Sequence, residues 1–225
     1  MQTQNQGRAK IRGVIFDYGN VLSLDQPFSA VEEMAEICDV PVKVFQQGYW
    51  EYRLAYDRGD LDVNQYWNNR LRSLGISLSP TQIAKIVLVD SESWSHLNPA
   101  SVEWVRQLHG AGIKLALLSN MPLELKNYMV ANLGLFSYFQ HLVFSCDVHL
   151  VKPEPGIYQS CLNLLQLAPH EVLFLDDKPQ NVEAAAALGI HSLVFDSIEN
   201  TLASVREKFD LPVPASLPAA SVAEL

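Results

Sequence analysis

The sequence predicts an open α/β sheet interrupted by one helical insertion, and three observations carry that prediction. Short apolar runs stop abruptly at polar residues, helical patterns alternate with them, and the stretch from about Ser23 to Ser95 reads as helices throughout. Continuous apolarity over so few residues suits central strands of a parallel sheet covered on both faces. Strand–helix–strand alternation is the mark of that architecture.

The first run, "IRGVIFD", ends at Asp17. Four helical patterns follow it: "FSAVEEMAEICDV", "PVKVFQQGYWEYRLAYDRG", "DVNQYWNNRLRSLG" and "SPTQIAKIVLVDSES". Together they are too long for an ordinary strand-to-helix connection, so a small helical cap over the sheet is expected. The alternation resumes with "NPASVEWVRQLHGAG", which carries Val102, Val105 and Leu108 at helical spacing, Pro99 near its start and Gly110 and Gly112 at its end. The second clean run, "IKLALLSN", ends at Ser119 and Asn120; the third, "EVLFLDD", ends at Asp176 and Asp177. "HLVFS" and "HSLVFD" are weaker strands, and "PLELKNYMVANLG", "PGIYQSCLNLLQLA" and "PQNVEAAAALG" supply further helices. The expected division is a core over 10–22 and 96–208, a helical cap over 23–95, and flexible tails at 1–9 and 209–225.

Charge bounds the partners. The 225 residues carry 16 basic and 25 acidic side chains, a formal net charge of −9. No basic face is available to neutralise phosphates, which argues against a nucleic-acid or anionic-membrane binder and leaves room for a small phosphate ligand. Cys38, Cys146 and Cys161 show no pairing pattern, as expected of free thiols in a reducing compartment. The polar start "MQTQNQGRAK" lacks a signal core, and no apolar run approaches the roughly 20 residues of a membrane helix. A soluble, cytoplasmic protein is the expectation; its oligomeric state, monomer or homodimer, is left open.

In open α/β sheets ligands bind beyond the carboxyl ends of the strands. That places Asp17, Ser119, Asn120, Asp176, Asp177 and, from the loop "HLVKPEPGIY", Lys152 on one rim. Clustered carboxylates repel unless a cation joins them, and hard oxygen ligands suit Mg²⁺. A lysine and a hydroxyl beside them suit a phosphoryl group. Phosphoryl transfer to an aspartate is the leading chemistry.

The stretches "FDYGNVL", "LLSN", "VKPEPGIY" and "FLDDKPQNVEAA" resemble, in order and spacing, the four motifs of the haloacid dehalogenase (HAD) superfamily. The resemblance implies a Rossmann-like core, a central parallel sheet flanked by helices, with the cap inserted after the first motif. It further implies a Mg²⁺-dependent hydrolase of phosphoric monoesters. Asp17 would be the nucleophile that forms an aspartyl-phosphate. Ser119 and Asn120 would bind phosphate, and Lys152 would hold nucleophile and phosphate together. Asp17, the Gly19 carbonyl and Asp177, supported by Asp176, would hold the metal. Asn181 stands where an acidic residue is often found, and a structural role is expected for it. The cap aromatics Tyr49, Trp50, Tyr52, Tyr56 and Trp67 are expected mostly in packing, and Arg53 and Arg58 in solvent or ion pairs.

One position departs from the pattern. Phosphatases of the superfamily usually carry a second aspartate two residues after the nucleophile; here it is Gly19. General acid–base help is worth about 10²–10⁴ in rate. Four readings compete. The substrate can need little protonation, as with an anomeric sugar, acyl or aryl phosphate; bacterial sugar-phosphate phosphatases such as the α-D-glucose-1-phosphate phosphatases look similar here. Another group, Asp25 or a cap residue, can substitute. The chemistry can be that of a dehalogenase. Or the chain can bind Mg²⁺ and phosphate without turnover. The leading expectation is a phosphatase of a small phosphorylated metabolite, sugar phosphate preferred.

Overall fold

The computed structural model describes residues 8–72 and 75–216. Five parallel strands, β1 (Gly13–Phe16), β2 (Lys114–Ser119), β3 (His141–Phe144), β4 (Val172–Asp176) and β5 (His191–Val194), form one sheet in the order β3-β2-β1-β4-β5. The chain builds outward from β1 through β2 to β3, then returns to the other side of β1 with β4. Such a reversal leaves a crevice beyond the carboxyl ends of the strands. Phe16 is level with both Leu117 and Leu175. Asp17 and Asp176 therefore leave the rim side by side, with Ser119 on the opposite flank of β1.

Alternation of side chains along the strands divides the core in two. Val14, Phe16, Leu117 and Leu175 pack on one face against α6 (Pro99–Gly110), α7 (Leu123–Asn132) and α11 (Ile198–Lys208). Ile15, Ala116, Leu118 and Phe174 pack on the other against α9 (Pro155–Leu165) and α10 (Pro179–Ala187). A four-residue helix, α8 (Ser145–Val148), follows β3 directly. Asn98 starts α6 by accepting from the backbone N–H groups of Ala100 and Ser101, with Pro99 at the first helical position.

Between β1 and α6 lie α1 (Phe28–Ile37), α2 (Val42–Tyr49), α3 (Arg53–Arg58), α4 (Val63–Arg72) and α5 (Pro80–Ser93). They bury a cluster of their own, including Met34, Phe45, Tyr66, Trp67 and Ile86. A capping box between Ser79 and Gln82 starts α5. The insert leaves and rejoins the core where two segments cross: Leu24 N–H donates to the His96 carbonyl at 2.7 Å, and Asn98 N–H to that of Leu22 at 2.8 Å.

Three local expectations differ from the structure. The stretch "PVKVFQQGYWEYRLAYDRG" is two helices, because the chain turns through Trp50–Tyr52 after the weak helix former Gly48. The helix α11 is additional; Ser197 caps it and Ile198, Leu202 and Val205 face the core. Residues 209–214, read from sequence as the start of a tail, pack against the core instead. Phe209 and Leu211 are buried, Asp210 N–H donates to the Ala9 carbonyl at 2.9 Å, and Trp104 Nε1–H donates to Pro212 O at 2.9 Å. The remaining terminal residues, 1–7 and 217–225, lie outside the described ones.

Trp104 is fully buried and meets Phe16 edge to face at 5.5 Å. Trp104→Ala should therefore cost about 3–5 kcal/mol, as large aromatic truncations in cores do. A guanidinium unfolding midpoint equal to wild type would contradict this placement.

Candidate active site

Lys152 is the centre of the rim. It is buried, and its Nζ donates to Asp17 Oδ1 at 2.7 Å and to Asp176 Oδ2 at 2.6 Å. Its loop is clipped to the end of β2 by the Asn120 side chain, which accepts from Lys152 N–H at 2.8 Å and donates to its carbonyl at 3.1 Å. Burial alone would push the ammonium toward neutrality, but the two carboxylates hold its pKa above the ordinary lysine value.

Asp17 follows β1 directly, and its Oδ1 also accepts from Tyr18 N–H at 2.7 Å. Burial raises its pKa to about 7; Lys152 opposes that rise, while Asp176 and Asp177 add to it. Asp176 is completely buried with both oxygens engaged. Oδ2 holds Lys152, and Oδ1 accepts from Lys178 N–H and from Asn181 Nδ2, each at 2.9 Å. Asp177 is more open and accepts only from Asn20 Nδ2, at 3.0 Å, among the described residues. Asn20 itself sits at φ 58°, a left-handed conformation that asparagine tolerates.

Oxygens of Asp17, Asp176 and Asp177 lie within 4.8 Å of one another. Three carboxylates face one lysine there, and the negative charge of Asp176 and Asp177 adds to the rise that burial imposes on Asp17. The donor set is all oxygen, with no sulfur or imidazole, and the Gly19 carbonyl takes no backbone hydrogen bond among the described residues. These residues fit a hard divalent cation such as Mg²⁺. Asp17, Asp177 and the Gly19 carbonyl are the available ligands; Asp176 is committed to holding Lys152 and its neighbours.

A cavity of about 430 Å³ opens over this cluster. The core contributes Asp17, Gly19, Ser119, Asn120, Lys152, Asp177 and Asn181 to its walls, and the insert contributes Trp50, Arg53, Leu54, Asp57 and Trp94. The Ser119 side chain makes no hydrogen bond among the described residues and is free for a ligand. The structure thus gathers every core residue singled out from sequence except Asp176, which stands behind the wall. Asp25 is exposed and does not line the cavity. Tyr49, Tyr56 and Trp67 are buried in the insert, and Arg58 pairs with Glu154. Arg53 is buried rather than solvated, held by Asp57 at 2.8 Å and Asp90 at 3.5 Å. Sequence reading missed Asp57, Asn20 and Trp94; the helical i,i+4 spacing of Arg53 and Asp57 was the available signal for the first.

Gly19 is not imposed by crowding. Its φ is outside the left-handed region, and a β-carbon there would lie 3.9 Å from Trp94 Cζ3, its nearest neighbour beyond the local chain.

Residues 11–189 match the model of the haloacid dehalogenase-like hydrolases, and the chain belongs to that family of hydrolases. It is 28% identical over 236 residues to acyl-CoA dehydrogenase family member 10 of Mus musculus, covering 96% of this chain and 21% of that protein. It is 32% identical over 91 residues to a phosphoglycolate phosphatase of Pectobacterium atrosepticum, covering 40% of this chain and 39% of the other. The matches thus span between a fifth and two fifths of those relatives' own lengths. Among solved structures, a predicted HAD-like hydrolase from Porphyromonas gingivalis superposes with a TM-score of 0.70 at 21% identity, covering 88% of this chain and 98% of its own. A HAD family enzyme from Bacteroides thetaiotaomicron, in complex with magnesium and inorganic phosphate, gives 0.65 at 20%, covering 85% and 98%. L-2-haloacid dehalogenase from Xanthobacter autotrophicus, with chloropropionic acid covalently bound, gives 0.64 at 22%, covering 90% and 85%. No helix among the described residues is long and apolar enough to cross a membrane.

Replacing Asp176 strands three donors at once: Lys152 Nζ, Lys178 N–H and Asn181 Nδ2. Asp176→Ala should destabilise the fold by about 3–5 kcal/mol, the cost of breaking a buried ion pair from one side. Urea unfolding measures it, and a loss under about 1 kcal/mol would mean that the pair contributes as little as an exposed one.

Proposed function

We propose that this hydrolase is a Mg²⁺-dependent phosphatase of a small phosphorylated metabolite, sugar phosphates foremost and anomeric ones included, working through an aspartyl-phosphate. The observation that carries the reading is the joint placement of a nucleophile, a lysine clamp and a hard-oxygen cluster on one cavity wall. Lys152 orients Asp17 and supplies positive charge where the phosphoryl oxygens gather. Ser119 offers a hydroxyl donor on the other flank. A divalent cation held by Asp17, Asp177 and the Gly19 carbonyl would neutralise charge on the transferring group. Asp17 attacks phosphorus, the leaving alcohol departs, and water then releases phosphate from Asp17. Helices α1–α5 act as the cap: Arg53 and Leu54 of α3, with Trp50 from the turn before it, meet the leaving group and keep bulk water out.

The curated phosphatase relative and the magnesium–phosphate complex of a structural neighbour support this reading. A dehalogenase is the second reading, favoured by the absent carboxylate at Gly19. The cluster of Asp17, Asp176 and Asp177 favours the first, since carbon–halogen displacement needs no cation.

Phosphate release should be assayed with Mg²⁺ over sugar, acyl, aryl and nucleotide phosphates. At least one class should be turned over, with Asp17→Asn lowering the rate by about 10³-fold or more. EDTA should silence the enzyme and Mg²⁺ restore it. Phosphate release no higher than the Asp17→Asn control on every substrate would sink the proposal; metal-independent halide release from haloacids would favour the dehalogenase.

A further inference from the structure

The cavity holds one carboxylate that neither the nucleophile nor the cation cluster uses. Its walls carry six groups able to give up a proton near the reacting centre: Asp17, Tyr18, Asp57, Lys152, Asp177 and Lys178. Asp17, Lys152 and Asp177 are already assigned. The Tyr18 hydroxyl is spent on the Trp94 carbonyl, to which it donates at 2.8 Å, and burial holds that phenol far above the working range. Lys178 is exposed, and its ammonium makes no hydrogen bond among the described residues that would fix it toward a leaving group. Asp57 remains.

Its setting suits proton transfer. Asp57 is buried on α3, and its Oδ1 accepts from Arg53 Nε at 2.8 Å. Its Oδ2 accepts no hydrogen bond among the described residues, and Asp57 is one of the residues that line the cavity. Its carbonyl accepts from the Ser145 hydroxyl, whose oxygen accepts in turn from Met121 N–H at 2.9 Å. Those bonds anchor Asp57 beside the turn that carries Ser119 and Asn120. The charged and titratable groups around it are Arg53 on its own helix, Asp90 on α5, and Lys178 at the start of α10. Tyr49 on α2 joins them, donating to Asp90 and accepting from Arg53 at 2.9 Å, and Tyr66 on α4 and Cys146 on α8 also feel the Asp57 charge. Burial raises the Asp57 carboxyl above its usual range; Arg53 and Lys178 oppose that rise and Asp90 adds to it.

Resting on the phosphatase reading, we propose that Asp57 is the general acid and base that Gly19 does not provide. As Asp17 Oδ bonds to phosphorus, the bond from phosphorus to the leaving oxygen breaks, and that oxygen takes the Asp57 proton to depart as an alcohol. Water then bonds to phosphorus and gives a proton to the Asp57 carboxylate. The Asp17–phosphorus bond breaks, inorganic phosphate leaves, and both aspartates return to their starting states. The acid thus comes from the insert and reaches the leaving group from the side that also selects it.

The test compares an alkyl sugar phosphate with p-nitrophenyl phosphate, whose leaving group needs little protonation. Asp57→Asn should lower kcat/KM for the alkyl substrate by about 10²–10⁴-fold and for the aryl substrate by less than about 10-fold. Adding Gly19→Asp to Asp57→Asn should restore alkyl turnover, which repair of a merely structural defect would not. An equal fall on both substrates without rescue, or no fall on either, overturns the assignment. Should Asp57→Asn not fold, the wild-type enzyme decides on a series of phosphates of graded leaving-group pKa. A shallow dependence of kcat/KM supports an internal acid, and a steep one overturns it. Wild-type enzyme that turns over no phosphate at all sinks the phosphatase reading itself and this role with it.

Discussion

The buried contact of Lys152 with Asp17 and Asp176 is the constraint around which the rest of the molecule is arranged. One ammonium joins the ends of two adjacent strands, at 2.7 and 2.6 Å, from a loop that belongs to neither. Desolvating three charges is costly, and the cost is offset only when geometry and further hydrogen bonds are good. Asn120 fixes the backbone of Lys152, and Lys178 N–H and Asn181 fix Asp176. The parallel register of β1 with β4 sets the two carboxylates side by side in the first place. Pairing, loop and helix start are thereby linked through one group of side chains.

That arrangement leaves an electrostatic remainder. Asp177 and Asp17 share the site with one cation too few, and burial magnifies the imbalance. The imbalance is useful to a site whose partner is a divalent cation carrying a phosphate ester, since the ligand completes the charge that the protein leaves open. A structural ion-pair network would have closed it internally.

Much of this was legible in the sequence. The runs ending at Asp17, at Ser119 and Asn120, and at Asp176 and Asp177 announce central parallel strands, because apolar residues on both faces leave them no solvent side. The helical insert was equally visible from its length. What sequence could not give was direction within the insert. Arg53 reads from sequence as solvated or paired; the structure pairs and buries it, with Asp57 on its own helix and with Asp90, a contact that exists only once α3 and α5 are packed together. Asp57 was open to reading from its i,i+4 spacing to Arg53, but its place at the cavity wall was not. The break at Trp50–Tyr52 was missed because Gly48, the weak helix former before it, lies inside α2 and does not by itself mark a stop. The C-terminal stretch looked mobile because proline and alanine dominate it, whereas in 209–214 the Phe209 and Leu211 side chains join the core and Trp104 and Ala9 bond the backbone.

The crossing of Leu22–Leu24 with His96–Asn98 has a wider consequence. The insert enters and leaves the core through two segments bonded to each other, so its endpoints are fixed in space whatever lies between them. Lengthening, shortening or exchanging the helices need not disturb the register of β1 or the start of α6. The fold therefore separates two histories. The rim can stay constant while the roof over it is replaced wholesale, and a chimera carrying a foreign roof on this base has its splice points already marked.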